Sequence, residues 1–294
     1  MTDGALLVDK PVGLSSNAVL QQVKRLLGAR KAGHAGTLDP LASGLLVILF
    51  GEATKFAGLL LESDKQYRAT LKLGETTSTG DAEGEILESR NPDVSETQIL
   101  AALARFRGEI EQLPPMHSAL KRAGVPLYKL ARRGETVERS RRRVEIFELE
   151  SVGFHPPLLE LRIRCSKGTY IRTLAEDIGA ALGTGAHLAA LRRTASGRFL
   201  IEAAVTLDDI VRLNETQRQR RLLSLGELLA DLPRVELDAP LELRLRNGQA
   251  LKISGLQEGV SALYRADGAL IGLGRAREGV LRPLRLTQAA EKHR

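Results

Sequence analysis

The chain has 294 residues, 43% hydrophobic and 27% charged, enough to bury roughly three quarters of its unfolded surface, which excludes global disorder. Forty-three basic against 36 acidic residues leave a net charge of +7, and 32 of the basic residues are arginines, which suit phosphate contacts and admit nucleic acid as a partner. One cysteine, Cys165, excludes an intramolecular disulfide, no apolar run approaches the ~20 residues of a membrane span, and the start lacks a signal-peptide pattern, so the expectation is a soluble cytoplasmic protein.

Residues 5–9 read as a short buried strand ended by Lys10-Pro11-Val12-Gly13. Ser16 or Asn17 then caps a helix with Val19, Leu20, Val23, Leu26 and Leu27 on its apolar side and Gly28 as its stop. Residues 32–40 read as a glycine-containing loop, 45–50 as a fully apolar strand and 53–61 as a short helix. Between 67 and 73, Tyr67, Ala69, Leu71 and Leu73 alternate with Arg68, Thr70 and Lys72, which predicts a half-buried strand with Tyr67 at its entrance. Residues 74–84 form a polar loop. Ser95 and Gln98 make a capping box for a helix carrying Ile99, Leu100, Leu103 and Phe106.

The pattern breaks between Leu113 and Arg143. Pro114-Pro115 open this stretch, and Lys129, Arg132, Arg133, Arg139, Arg141, Arg142 and Arg143 face only Glu135 and Glu138. It reads as an exposed basic arm between core elements. A strand at 159–165 follows, then Ser166-Lys167-Gly168-Thr169 and a helix with Ile171, Leu174, Ala175, Ile178, Ala181 and Leu182 on one face. Weak helices at 207–229 lead to Leu232-Pro233. Beyond them Asn247-Gly248, Ser254-Gly255, Glu258-Gly259, Asp267-Gly268 and Glu278-Gly279 separate short strand-like runs, predicting a small β-barrel of its own. The fold class is mixed α/β (α+β), with one domain over 1–232 and a small β domain over 233–294.

The strongest chemical candidate is the run from Gly33 to Gly44, which holds His34, Asp39 and Pro40. Its glycines let backbone approach a ligand, and a carboxylate on such a loop serves as nucleophile or base. An isolated Asp-Pro more often makes a local turn. The histidines, at 34, 117, 155, 187 and 293, lack ligand spacing, so no metal site is expected. In the second cluster, Tyr170 and Arg172 flank core-facing Ile171 in a first helical turn. A cation is disfavoured there by the helix dipole, which suggests an acidic partner for Arg172, with a solvated arginine as the alternative. Cys165, within a strand, reads as a packing residue.

These segments resemble, in order, the motifs of the bacterial tRNA pseudouridine-55 synthases, the TruB family. Residues 33–46, GHAGTLDPLASGLL, are similar to its catalytic-aspartate motif, and 9–16, DKPVGLSS, to its N-terminal motif. Residues 65–68, KQYR, resemble its base-stacking strand, and 112–121, QLPPMHSALK, with 124–128, the start of its RNA-gripping insertion. Residues 167–172, KGTYIR, and the run from Gly185 to Arg193 complete the set. The resemblance covers about residues 5–200, and the tail is similar to a PUA-like domain.

The resemblance implies a pseudouridine synthase core, with a central, mainly antiparallel sheet flanked by helices, and a C-terminal PUA-like β-barrel. It implies isomerisation of the T-loop uridine 55 of tRNA, by breaking N1–C1′ and forming C5–C1′, without cofactor or metal. Asp39 would be the catalytic carboxylate, as nucleophile at C1′ or as a base toward the sugar, with Arg172 paired to it. Tyr67 would stack on the flipped base, Tyr170 and Leu191 would line the pocket, His34 would fill the space the base leaves, and Lys10 would support the loop. The insertion at about 113–143 would grip the T-stem-loop, and a monomer would need no protein partner. Two alternatives stand beside this reading: a related RNA-guided pseudouridine synthase, and a non-catalytic tRNA-binding or chaperone protein.

Overall fold

The computed structural model describes residues 2–118, 120–122, 124–131, 133–135 and 137–288. The elements that shape the site are β1 (Gly4–Lys10), α1 (Ser16–Leu26), β2 (Ala32–Ala35), β3 (Ala42–Phe50) and β4 (Lys65–Leu73). They continue with α2 (Glu96–Ala104), β5 (Gly108–Gln112), β6 (Arg142–His155), β7 (Leu158–Cys165), α3 (Ile171–Ala181), β8 (Ala186–Ser196) and β9 (Val205–Thr206). The strands form one sheet in the order β9-β1-β3-β8-β4-β7-β6-β5, with β2 pairing the far part of β3. Only β1–β9 and β3–β8 are parallel along that path, so the sheet is mainly antiparallel, as expected.

Two hydrophobicity patterns divide the sheet. Residues 5–8 of β1 and 45–50 of β3 are continuous apolar runs because both their faces are covered. On one side Leu6, Val8, Leu46 and Ile48 meet Val19, Leu20 and Val23 of α1. On the other, Leu7, Val47 and Leu49 meet Phe56 and Leu60. β4 and β7 alternate because α2 and α3 cover one face alone, packing Ile99, Leu103, Leu174 and Ile178 on Leu71, Leu161 and Ile163.

Backbone pairing overrides the local reading in several places. Residues 32–35 are strand β2 rather than loop, with His34 opposite Ile48, because the apolar edge of β3 takes up their backbone groups. Ser15, not Ser16 or Asn17, caps α1 by accepting from the Ala18 N–H at 3.1 Å. The capping box of Ser95 and Gln98 forms as expected, but Leu100 is 55% exposed and outside the core. Within the polar loop, Glu75–Thr77 pairs with Ile86–Ser89.

The basic arm is less irregular than its composition suggests. Lys121–Arg122 pairs with Val125–Pro126, Leu127–Ala131 is a helical turn, and Arg142 and Arg143 belong to β6, opposite Gln112 and Glu111. Arg132 and His293 lie outside the described residues, as does the side chain of Lys129.

Past Pro233 a second sheet joins Arg234–Leu237, Leu251–Lys252, Gly259–Arg265, Leu270–Arg277 and Val280–Leu286. This curled half-barrel stands where the small β-barrel was expected. It also carries a helix, Ala239–Arg246, which the turn signals did not show. Asp238 caps that helix, and its Glu242 and Arg246 form an ion-pair cluster with Arg265. The sheet is not packed on itself alone. Ala262, Tyr264 and Leu273 join Leu7, Leu49, Phe56 and Leu60 in one cluster.

Candidate active site

The loop carrying Asp39 runs from the end of β2 to the start of β3 and is fastened from several sides. The Ser16 hydroxyl donates to the Leu38 carbonyl at 2.9 Å and accepts from the Leu38 N–H at 2.8 Å. The Gly13 N–H donates to the Pro40 carbonyl at 2.8 Å, and the Ala42 N–H closes a turn on the Asp39 carbonyl at 3.1 Å. The residues on either side of Asp39 are thus held by neighbouring elements while its side chain stays 43% exposed.

Arg172 is the acidic residue's partner, in agreement with the helix-dipole argument. In the first turn of α3 its guanidinium is 6% exposed and stands 3.0 Å from Asp39 Oδ2 through Nη2. Nε lies 3.5 Å from Asp81 Oδ2, Nη1 donates to the Thr79 carbonyl at 3.2 Å, and Nη2 donates to the His117 carbonyl at 2.7 Å. Asp81 is itself buried and accepts from the Thr79 hydroxyl at 2.5 Å and the Glu83 N–H at 3.1 Å. Three partners, the Asp81 carboxylate and the carbonyls of Thr79 and His117, leave the guanidinium one orientation, and that orientation aims it at Asp39.

Of the other expected residues, Lys10, Tyr67 and Tyr170 lie within reach of the Asp39 charge, Leu191 packs on the core that holds Tyr67, and His34 senses the Arg193 charge instead. Lys10 is fully buried, and its ammonium donates to the carbonyls of Pro11 and Leu14 at 2.8 and 2.6 Å. Burial pushes it down to about 8, against the pull of the Asp39 charge. Tyr67 is buried on the inner face of β4 beside Leu38 and Ala42, and burial pushes its phenol up. Tyr170 directly precedes α3, and burial likewise raises its phenol. His34 is lowered by burial and then by the Arg193 charge, and its buried Nδ1 has no partner among the described residues. Leu191 packs on the same core as Tyr67, at the edge of a cleft of about 240 Å³ that also exposes Leu41, Arg68, Thr70 and Arg192. A larger cavity of about 480 Å³, at Lys72, Arg90 and Pro156, holds none of these residues.

Residues 24–171 match the family described as "TruB family pseudouridylate synthase (N terminal domain)". Residues 172–233 match "tRNA pseudouridylate synthase B C-terminal domain", and 233–287 match "Pseudouridine synthase II TruB, C-terminal". The chain belongs to the TruB family. The "tRNA pseudouridine synthase B" of Burkholderia mallei (strain NCTC 10247) is 55% identical over 291 residues, covering 97% of this chain and 96% of the relative. That of Dechloromonas aromatica (strain RCB) is 51% identical, covering 98% and 97%. Among solved structures, the "Crystal Structure of a Cbf5-Nop10-Gar1 Complex" superposes with a TM-score of 0.73 at 29% identity, over 94% of this chain and 78% of that one. The "Structure of H/ACA RNP bound to a substrate RNA containing 2'-deoxyuridine" gives 0.71 at 27%, over 94% and 78%.

Within this TruB-family site, sequence reasoning passed over three supports. Ser16 stands in the 9–16 motif and as a cap candidate with no link to Leu38 visible, and Asp81 stands in the polar loop. Gln112, buried at the end of β5, accepts from the Tyr170 N–H at 3.0 Å and donates to the Tyr170 carbonyl at 3.2 Å, fixing the backbone just before Arg172. The signal for Gln112 was its place just before Leu113-Pro114-Pro115, a polar residue at the end of an edge strand.

Proposed function

We propose that this TruB-family chain isomerises uridine 55 in the T-loop of tRNA, with Asp39 as the catalytic carboxylate. As a tRNA pseudouridine synthase it detaches uracil at N1 from C1′ and rejoins it through C5, an isomerisation in which no group enters or leaves. The observation that carries the assignment of Asp39 is the contrast within one ion pair: a sealed Arg172 holding an accessible carboxylate at 3.0 Å. A buried cation fixed by backbone carbonyls is a support, and the exposed partner is the group left to meet a substrate.

The uridine must leave its stack to reach Asp39, at a cost of a few kcal/mol. Tyr67 would return about 1–3 kcal/mol of that by stacking. Asp39 then acts at C1′ or at the sugar. Tyr170 and Leu191 close the pocket around the turning base, Tyr170 as a neutral phenol because burial raises it. His34, held neutral by burial, offers an uncharged ring toward the vacated stack. Lys10 braces the loop from behind. The exposed arginines of the 113–143 insertion and the C-terminal sheet supply affinity for the folded T-stem-loop, and the chain works as a cytoplasmic monomer. The near full-length identity to tRNA-acting relatives favours this over the RNA-guided alternative.

The test is incubation of the purified chain with an unmodified tRNA transcript, followed by mapping of pseudouridine. One product at position 55 is expected. Asp39→Asn should form none in a single turnover while still binding tRNA, since the amide keeps the shape and cannot act as nucleophile or base. Product from Asp39→Asn would remove the assignment.

A further inference from the structure

Arg193 belongs to the Gly185–Arg193 motif yet has no part in the reaction as laid out above. It is among the largest side chains sealed from solvent, at 1% exposure. β8 places it directly opposite Tyr67 of β4 and beside Gly44 of β3, so its side chain shares the inner face with the Tyr67 ring. Nε donates to the Leu45 carbonyl at 2.7 Å, and Nη2 donates to the Gly36 carbonyl at 3.1 Å. Gly36 and Leu45 stand on either side of Asp39, so one guanidinium grips both ends of its loop.

The backbone around Arg193 is cleared to admit it. A Cβ on Gly36 would stand 3.2 Å from Arg193 Nη1, and one on Gly44 would stand 2.3 Å from the Arg193 carbonyl oxygen. Both glycines also have positive φ, 93° and 103°. Arg193 faces Tyr67 directly across the paired strands, and its charge acts on the Tyr67 phenol. Backbone carbonyls accept the guanidinium's hydrogen bonds here, and a buried cation held this way is a poor device for stability alone.

We propose that Arg193 is a positioning residue for the isomerisation, tying both ends of the Asp39 loop to the strand that carries Tyr67 and so setting the carboxylate against the stacked ring. This rests on the reading of Asp39 and Tyr67 given above. Lysine keeps the charge but loses the fork that reaches two carbonyls at once.

The experiment uses the full chain and unmodified tRNA transcript, with single-turnover rates taken per folded molecule and tRNA Kd measured in parallel. Arg193→Lys should slow the single turnover about 100-fold, the scale of a misplaced reacting group, with Kd nearly unchanged. Combined with Tyr67→Phe, it should cost less than the product of the two single losses, because the Arg193 charge acts on the Tyr67 phenol. Arg193→Met, similar in volume and free of charge burial, gives the same reading where the lysine variant does not fold. A wild-type rate per folded molecule, or a loss confined to Kd, overturns the proposal. Asp39→Asn in the same assay separates the two levels. Activity in Asp39→Asn defeats the reading of the site, whereas an inactive Asp39→Asn beside fully active Arg193 variants defeats only the role of Arg193.

Discussion

Arg172 Nη2 lies 3.0 Å from Asp39 Oδ2, with the arginine 6% and the aspartate 43% exposed. The pair is therefore asymmetric. Removing the cation disturbs more than Asp39, because the same guanidinium also faces the buried Asp81 carboxylate at 3.5 Å.

Arg172→Lys should slow the chemical step on the order of 100-fold while tRNA affinity stays near the wild-type value, because one ammonium cannot serve four acceptors. Arg172→Ala should in addition lose about 3–5 kcal/mol of stability, since Asp81 is left buried without its countercharge. Single-turnover kinetics and urea unfolding read the two effects separately. A lysine variant that loses only affinity would make Arg172 a phosphate contact.

How much of this site could be read in advance depends on the range of the forces involved. A cation in a first helical turn pointed to an acid beside Arg172, the family resemblance supplied Asp39 as that acid, and the alternation from Tyr67 to Leu73 is local. Ser16 was misread because its bond to Leu38 spans 22 residues, and only the folded chain shows that Ser15 makes the cap. β2 was missed for a similar reason. Its four residues carry no strand pattern of their own and are held by β3. The helix at 239–246 escaped because its polar residues look solvated until Glu242 is seen between Arg246 and Arg265.

Lys10 makes a prediction in pH. Burial lowers its ammonium from 10.5 to about 8, so between those values the unfolded chain holds a proton that the folded chain has released. Folding stability from this group therefore rises as pH climbs from 8 toward 10.5. Lys65 adds the same sign and Cys165, raised to about 12, the opposite one, so the wild type alone does not isolate Lys10. The difference in unfolding free energy between the wild type and Lys10→Met should shift toward the wild type across that interval. A flat difference would mean that Lys10 keeps an ordinary ammonium in the folded protein.

The C-terminal sheet is proposed to add affinity and no chemistry, but its removal is not neutral. Ending the chain at Leu232 removes Ala262, Tyr264 and Leu273 from the core cluster they share with Leu7, Leu49, Phe56 and Leu60. Each large side chain returned to water costs about 1.5–3 kcal/mol. The shortened chain should melt well below the full one and expose apolar surface to a hydrophobic dye. An unchanged Tm would show that the two sheets are energetically independent.

The basic arm separates RNA recognition from a solvated charge run. Arg141, Arg142 and Arg143 are exposed in sequence, two of them on the first residues of β6 and thus in fixed register with Gln112 and Glu111. Arg143 stands 3.4 Å from Glu109, with side chains 74% and 66% exposed, a pairing weak enough for a phosphate to displace. Each phosphate neutralised by the arm releases counterions, and losing one such contact lowers the salt slope of binding by roughly 0.7–0.9. Changing all three arginines to glutamine should flatten the dependence of log Kd on log salt by about two units and raise KM for tRNA. The single-turnover rate at saturation should hold, because the chemistry is proposed to lie at Asp39 and the arm to grip only the tRNA around it. An unchanged salt slope would make these arginines a solvated surface and place the RNA-binding face elsewhere on the molecule.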